Sequence, residues 1–184
     1  MKRSFLFAGA ILFCCFNAQA APDALATPNV QAVVSAQFGE EFQLLRGYPV
    51  LIGDFNGDGI QDAVFAATSK SVVQTISSRF KMLDPADDFF GMGDTAITSQ
   101  FASPYPGGPK YLLVIHGSGN EGWHAKEPKE RFVLINLAFD HISVGHFEHK
   151  RRNYDDINIE ETGILNSFLY WDGHKYKWQP GPME

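Results

Sequence analysis

Cysteine is nearly absent from this sequence. The 184 residues include two, Cys14 and Cys15, and both lie close to the start of the chain. Beyond Cys15 no thiol is left that could form a disulfide, attack a substrate or bind a soft metal ion. The remainder of the chain must therefore be stabilised by its own core rather than by covalent cross-links.

Long hydrophobic runs are scarce as well. The one marked stretch, Phe5–Phe16, is shorter than the roughly twenty apolar residues that a membrane-spanning helix needs. It follows the basic Met1-Lys2-Arg3 and precedes Ala18-Gln19-Ala20, in which the two alanines are the small residues that signal peptidase requires. We expect residues 1–20 to be a secretory signal peptide and the protein to be periplasmic or secreted. A lipid anchor at Cys14 is disfavoured because a bulky aromatic residue precedes it.

Basic residues are outnumbered by acidic ones. The chain has 15 Lys and Arg against 21 Asp and Glu, for a formal charge of −6. Removal of residues 1–20 would take two basic residues and no acidic one, which leaves −8. Such a balance is unfavourable for nucleic acids and for anionic membrane surfaces, so we expect neither as a partner. Residues 21–184 have the length of a single domain.

The most informative stretch runs from Asp54 to Asp62 and reads Asp-Phe-Asn-Gly-Asp-Gly-Ile-Gln-Asp. Ca²⁺ takes roughly six to eight oxygen ligands at about 2.3–2.6 Å, and acceptors on alternate residues of a tight loop can point at one centre. Gly59 permits the sharp turn, because it lacks a Cβ. The predicted ligands are the side-chain oxygens of Asp54, Asn56, Asp58 and Asp62, and the backbone carbonyl of Ile60.

The loop is not an EF-hand, because it lacks one of the ligands that an EF-hand requires. An EF-hand loop needs a bidentate Glu at its twelfth residue, and here the twelfth residue is Phe65. The flanking segments, Pro49–Ile52 and Ala63–Ala66, are short and apolar, which is typical of strands rather than of helices. We therefore expect a strand, a metal-binding loop and a second strand.

This arrangement resembles the FG-GAP repeat of integrin-like and other extracellular bacterial proteins. The resemblance covers Val50–Ala67 and rests on one copy of the pattern D-x-N-x-D-G-x-x-D. It implies that the residues at its four acceptor positions bind calcium, and these are Asp54, Asn56, Asp58 and Asp62. FG-GAP repeats usually build a propeller from several copies, so a single copy implies nothing about the overall fold. The alternative is an Asp/Asn/Gly-rich hairpin turn without a metal.

The remaining patterns predict a mainly antiparallel β-sheet domain of class α+β, with a short amphipathic helix at its N-terminal end. Thr27-Pro28 indicates the helix start, and an apolar stripe of Val30, Val33, Val34 and Phe38 follows before Gly39. About eight strands are expected. Besides the loop flanks, segments with strand patterns are 71–76, 80–83, 111–115, 132–137, 156–160, 168–171 and 175–178. Tyr111–Ile115 is the most apolar and is predicted to be central.

A small serine hydrolase is an alternative function. Ile115-His116-Gly117-Ser118-Gly119 resembles the oxyanion-hole segment of α/β-hydrolases, and Ser143 would be the nucleophile. Against it, His141 stands where the nucleophile elbow G-x-S-x-G requires its first glycine. We interpret the histidine-containing stretch from His141 to His149 as a solvated turn.

A glycan- or protein-binding module is a further alternative. Asp172-Gly173 predicts a hairpin that brings four rings to a small area, those of Tyr170, Trp171, Tyr176 and Trp178. Exposed rings of this kind can stack on sugars or on an apolar partner surface, whereas core packing is the plainer interpretation. The preferred hypothesis remains an exported, non-enzymatic, calcium-binding module.

Overall fold

The computed structural model describes residues 29–70, 77–91, 109–146, 154–161 and 165–181. The predicted signal peptide at 1–20 and the predicted strand at 71–76 lie outside these ranges. The described part consists of two β-sheets, a helix α1 (Val30–Phe38), a short helix α2 (Pro85–Phe89) and a single 3₁₀ turn at Gly119–Glu121. The prediction of a β-rich α+β fold is confirmed.

The first sheet has six strands. They are β1 (Phe42–Leu44), β2 (Leu51–Gly53), β3 (Asp62–Ser69), β4 (Lys81–Leu83), β5 (Lys110–His116) and β6 (Glu130–Leu134). Their order is β1-β3-β5-β6-β4, and β2 also pairs with β3. The pairings are antiparallel except that of β4 with β6, which is parallel. Among the described residues, three-residue strands therefore form both edges of this sheet.

The centre of the first sheet is buried on both faces. Alternate residues of β3 and β5, such as Phe65 and Leu113, pack with Val34 and Phe38 of α1. The intervening residues of the same strands face the second sheet. This explains why β5 is almost continuously apolar although its neighbours are antiparallel, and it confirms the predicted central position of Tyr111–Ile115.

The second sheet is a four-stranded antiparallel meander. Its strands are β7 (His141–His146), β8 (Asp155–Glu161), β9 (Leu165–Trp171) and β10 (Tyr176–Pro180), in the order β10-β9-β8-β7. One face packs on the first sheet through a shared core, to which it contributes Ile142, Ile157, Ile159, Leu169, Trp171 and Tyr176. The hairpin predicted at Asp172-Gly173 joins β9 to β10.

Two local predictions were wrong. Helix α1 begins at Val30 rather than at Thr27-Pro28, because Asn29 is the N-cap and its side chain accepts a hydrogen bond from the N–H of Ala32. The stretch at His141 is a strand rather than a turn. The sequence of β7 lacks the apolar alternation typical of a strand, because β7 lies at the sheet edge and Ile142 is its one buried residue.

The acidic segment that follows β4 contains helix α2. Asp84 caps helix α2, and its carboxylate accepts a hydrogen bond from the N–H of Asp87. Asp88 pairs with Lys175 and Lys177 of the β9–β10 hairpin. The partners of Asp84 and Asp88 therefore lie outside the loop at 54–62. In the described part of the chain, neither helix has the length and apolar character needed to cross a bilayer.

Candidate metal centre

The loop at 54–62 connects β2 to β3 at one end of the first sheet. Gly53 pairs with Asp62 as the last step of this antiparallel ladder, so the loop closes a hairpin between two strands, as the flanking residues predict. Gly57 and Gly59 have φ angles of 75° and 80°, values at which a residue with a Cβ is strained. The fourth and sixth positions of the pattern therefore need glycine.

The carboxylate of Asp54 organises the backbone of the loop. Its Oδ1 accepts hydrogen bonds from the N–H of Gly57 at 2.8 Å and of Asp58 at 3.0 Å, and its Oδ2 accepts one from Gly59 at 2.8 Å. Three successive backbone donors thus turn inward around the first residue of the motif. The Asp54 carboxylate therefore fixes the path of the loop backbone over residues 57–59.

The side chains at the third and fifth positions stabilise the same turn. Asn56 Oδ1 accepts from the N–H of Asp58 at 2.9 Å, and Asp58 Oδ1 accepts from the N–H of Ile60 at 2.9 Å. The second oxygen of Asp58 forms an ion pair with Lys129 Nζ at 3.1 Å. Although burial acts in the opposite direction, the N–H of Ile60 and the Lys129 ammonium lower the pKa of the Asp58 carboxyl.

Asp62 differs from the other acids because it is completely buried. Its Oδ2 accepts hydrogen bonds from the N–H of Phe55 at 2.9 Å and of Asn56 at 3.2 Å. Its Oδ1 accepts one from the N–H of Gly117 at 2.8 Å, on the loop after β5. This single carboxylate therefore joins the two ends of the 54–62 loop to the neighbouring connection.

The surroundings of Asp62 disfavour the ionised form of its carboxyl group. Burial raises the pKa of the Asp62 carboxyl to about 7, and the negative charges of Asp58 and Asp54 act in the same direction. Hydrogen bonds from Gly117 and Phe55 oppose the shift. A cation beside these carboxylates would favour the ionised form, because it would offset both the burial and the mutual repulsion.

The second sheet supports the loop from the other side. Asp155, at the start of β8, accepts a hydrogen bond from the N–H of Asp54 at 2.8 Å through its Oδ2, and its own N–H donates to the Asp54 carbonyl at 3.0 Å. The ring of Tyr154 packs against Gly57, where a Cβ would lie 3.0 Å from a ring carbon. The loop is therefore linked to the second sheet as well as to the first.

The side chains of the loop offer the type of donor atom that a hard cation prefers. All four predicted side chains offer oxygen, as Ca²⁺ requires. A carboxylate has about four acceptor sites, and Asp54 and Asp62 each accept three hydrogen bonds, so each retains room for one more partner. Within the described ranges, however, no three side chains from His, Cys, Asp and Glu are gathered around one metal position. Calcium binding therefore requires these carboxylates to converge further.

The four aromatic residues of the β9–β10 hairpin do not form one exposed surface. Trp171 and Tyr176 are buried in the core between the sheets, whereas Tyr170 and Trp178 are half-buried. Trp178 contacts the exposed ring of Phe89, with 5.0 Å between ring centroids. A glycan or protein partner at this hairpin stays a prediction, and Tyr170 and Trp178 are the two rings that could take part.

The hydrolase alternative receives no catalytic geometry from the described residues. Ser143 lies on an exposed face of β7, and its Oγ accepts a hydrogen bond from Asn158 Nδ2 at 3.5 Å. His116 is buried and shares a 2.8 Å hydrogen bond with the Tyr176 hydroxyl, which links the two sheets. Burial lowers the pKa of His116 to about 4. The segment that resembles an oxyanion hole instead positions Gly117 against Asp62.

Comparison of the chain with protein-family models, with curated proteins and with solved structures finds no match.

Sequence reasoning missed the residues that hold the loop in place. They are Tyr154, Asp155, Gly117 and Lys129, all more than fifty positions away from the loop in the chain. One signal was available for Gly117, because a glycine directly after a buried strand often marks a close backbone approach. The contacts of Tyr154 and Asp155 depend on the packing of the two sheets, and that of Lys129 depends on the strand order of the first sheet. No local pattern encodes either.

Proposed function

We propose that this protein is an exported calcium-binding module, in which calcium bound at the 54–62 loop stabilises the junction between the two sheets. The observation that carries the proposal is the winding of the loop around the Asp54 carboxylate, with three backbone N–H groups turned inward. The proposed ligands are the side chains of Asp54, Asn56, Asp58 and Asp62 and the carbonyl of Ile60. The role is one of structure or binding rather than catalysis.

The position of the loop supports a structural role for the ion. Asp62 bonds to the connection after β5, and Asp155 bonds the start of the loop to the second sheet. An ion that held the carboxylates together would tighten both links at once. With three carboxylates and an extracytoplasmic location, a dissociation constant of about 10⁻⁴–10⁻³ M is expected by analogy with extracellular calcium modules.

We expect calcium to raise the stability of the folded protein, because it would bind the folded loop and not the unfolded chain. At a free concentration one hundred times the dissociation constant the gain is about 2.7 kcal/mol. Thermal or urea unfolding in CaCl₂ and in EGTA measures it. An Asp58→Ala variant should unfold identically under both conditions, since it loses a central ligand.

The matched control is Asp172→Ala, at the turn between β9 and β10. Asp172 also accepts backbone hydrogen bonds within a turn, from His174 and Lys175, but it lies outside the loop. This variant should lose some stability and keep the whole increment from calcium. If wild-type protein unfolds identically in CaCl₂ and in EGTA, calcium has no part in this fold.

Lys129 is expected to compete with calcium for Asp58. Its ammonium lies 3.1 Å from Asp58 Oδ2, so an incoming cation must displace it or share the carboxylate with it. Exposed ion pairs of this kind are worth about 0.2–1 kcal/mol. Lys129→Met should therefore lower the calcium dissociation constant roughly two- to five-fold, as measured by calorimetric titration. The exposed Lys126, changed to Met, serves as the control and should leave calcium affinity unaltered.

A further inference from the structure

A small basic pocket lies beside β4 and the start of β6. It has a volume of about 220 Å³ and is lined by the turn at 77–81 and by residues 129–131. Four of these lining residues are cationic and one is acidic, although the chain as a whole has a formal charge of −6. The cations are Arg79, Lys81, Lys129 and Arg131, and the acid is Glu130.

Two of the four cations are already paired. Lys81 forms an ion pair with Glu130, and Lys129 forms one with Asp58. Among the residues that the structure describes, neither Arg79 nor Arg131 is paired with a carboxylate. Local pairing therefore leaves two positive charges at the pocket, both of them guanidinium groups.

Both arginines have side-chain donors that no described residue uses. Arg131 donates from Nη1 to Gln37 Oε1 at 2.7 Å, and Gln37 is buried and donates in turn to the backbone carbonyl of Ala125. That contact uses one of the five N–H groups of the guanidinium. The backbone N–H of Arg79 donates to Ser77 Oγ at 3.1 Å, so the Ser77 hydroxyl proton remains available as a further donor.

We propose that this pocket binds a tetrahedral oxyanion, a phosphate or sulfate group, through Arg79 and Arg131. Two guanidinium charges match the charge of a sulfate or of a phosphate near neutral pH, which is about −1.5 to −2. Forked N–H donors suit the oxygens of such a group better than a lysine ammonium does. The volume holds several water molecules at roughly 30 Å³ each, but it is below the ≈ 300 Å³ at which pockets for drug-sized ligands begin. The ligand is thus a single anionic group, either free or at the end of a larger molecule.

The test is titration of the purified protein with sodium sulfate and sodium phosphate, in EGTA and at constant ionic strength, by calorimetry or by NMR of the arginine side chains. Saturable binding in the millimolar range or tighter is expected. Arg79→Gln should weaken it roughly ten-fold, because it removes charge-assisted hydrogen bonds. Arg79 is exposed, so this change leaves the core intact.

Two further variants separate specific binding from general electrostatics. Arg46→Gln removes an equal charge from an exposed turn elsewhere and should bind both anions as the wild type does. Arg131→Lys keeps the charge but loses the planar fork, and should weaken binding several-fold. Absence of saturable binding, or equal weakening by Arg46→Gln and Arg79→Gln, would overturn the proposal.

The source of the anion is distinguished by two additional ligands, phenyl phosphate and a sugar sulfate ester. Esters that bind as tightly as the inorganic ions would show that the pocket accepts an anionic group on a larger molecule. Binding of the inorganic ions alone would assign the pocket to a free anion. Both results support an oxyanion site.

Discussion

Replacement of Asp62 by alanine should destabilise the protein by about 3 kcal/mol or more, even when calcium is absent. The buried carboxylate accepts hydrogen bonds from the N–H groups of Phe55, Asn56 and Gly117, and alanine would leave these donors without an acceptor. Each unsatisfied buried donor costs about 1–3 kcal/mol, and release of the buried charge recovers part of the total. Urea unfolding in EGTA measures the loss, and for a chain of this size it corresponds to a fall in Tm on the order of 10 °C.

Two further variants test the role of the Asp62 carboxylate. Asp62→Asn keeps one acceptor oxygen but turns an amide donor toward backbone donors, so its loss should be smaller than that of alanine but still substantial. Glu160→Ala, at an exposed position of β8, should change stability by no more than about 0.5 kcal/mol. If Asp62→Ala is as stable as Glu160→Ala, the carboxylate does not hold the loop.

Gly117→Ala should destabilise the protein by a similar amount, for a steric reason. A Cβ at this position would lie 2.1 Å from the carbonyl oxygen of Gln61 and 2.8 Å from the backbone nitrogen of Trp123. Both are backbone atoms, so no side-chain rotation relieves the clash and the two connections must separate. We expect a loss of about 3 kcal/mol, which combines overpacking with a weakened bond from the Gly117 N–H to Asp62.

The control for this substitution is Gly119→Ala, two residues further along the same connection. No atom lies within 4 Å of a Cβ placed there, but the φ angle is 57°. Its cost should be about 1 kcal/mol, the ordinary penalty for a left-handed residue with a side chain. Equal losses for the two variants would contradict the close backbone approach at Gly117.

Local sequence patterns predicted those elements of the fold that depend on local chemistry. Asp172-Gly173 marked the β9–β10 turn, and the uninterrupted apolar run at Tyr111–Ile115 marked a strand buried on both faces. The edge strand at His141–His146 was missed because most of its side chains face solvent and carry no apolar alternation. The parallel pairing of β4 with β6 was beyond prediction, since register between distant segments is set by packing.

The candidate site was also predicted only in part, because local spacing encodes the loop but not its contacts with distant residues. The positions of Asp54, Asn56 and Asp58 follow from the spacing of their oxygens along a tight loop, and the structure gives all three side chains a role in the turn. Spacing predicted Asp62 as a fourth ligand equal to the others, whereas the structure buries it and bonds it to the N–H of Gly117, which is 55 residues away.

The short edge strands of the first sheet bear on the self-association of the protein. In the described ranges, β1 and β2 on one side and β4 on the other each offer three ladder positions. A foreign strand gains too few hydrogen bonds there to add on firmly, and short borders of this kind are one way in which natural β-proteins avoid aggregation. We therefore expect the first sheet to resist the addition of a strand from another molecule.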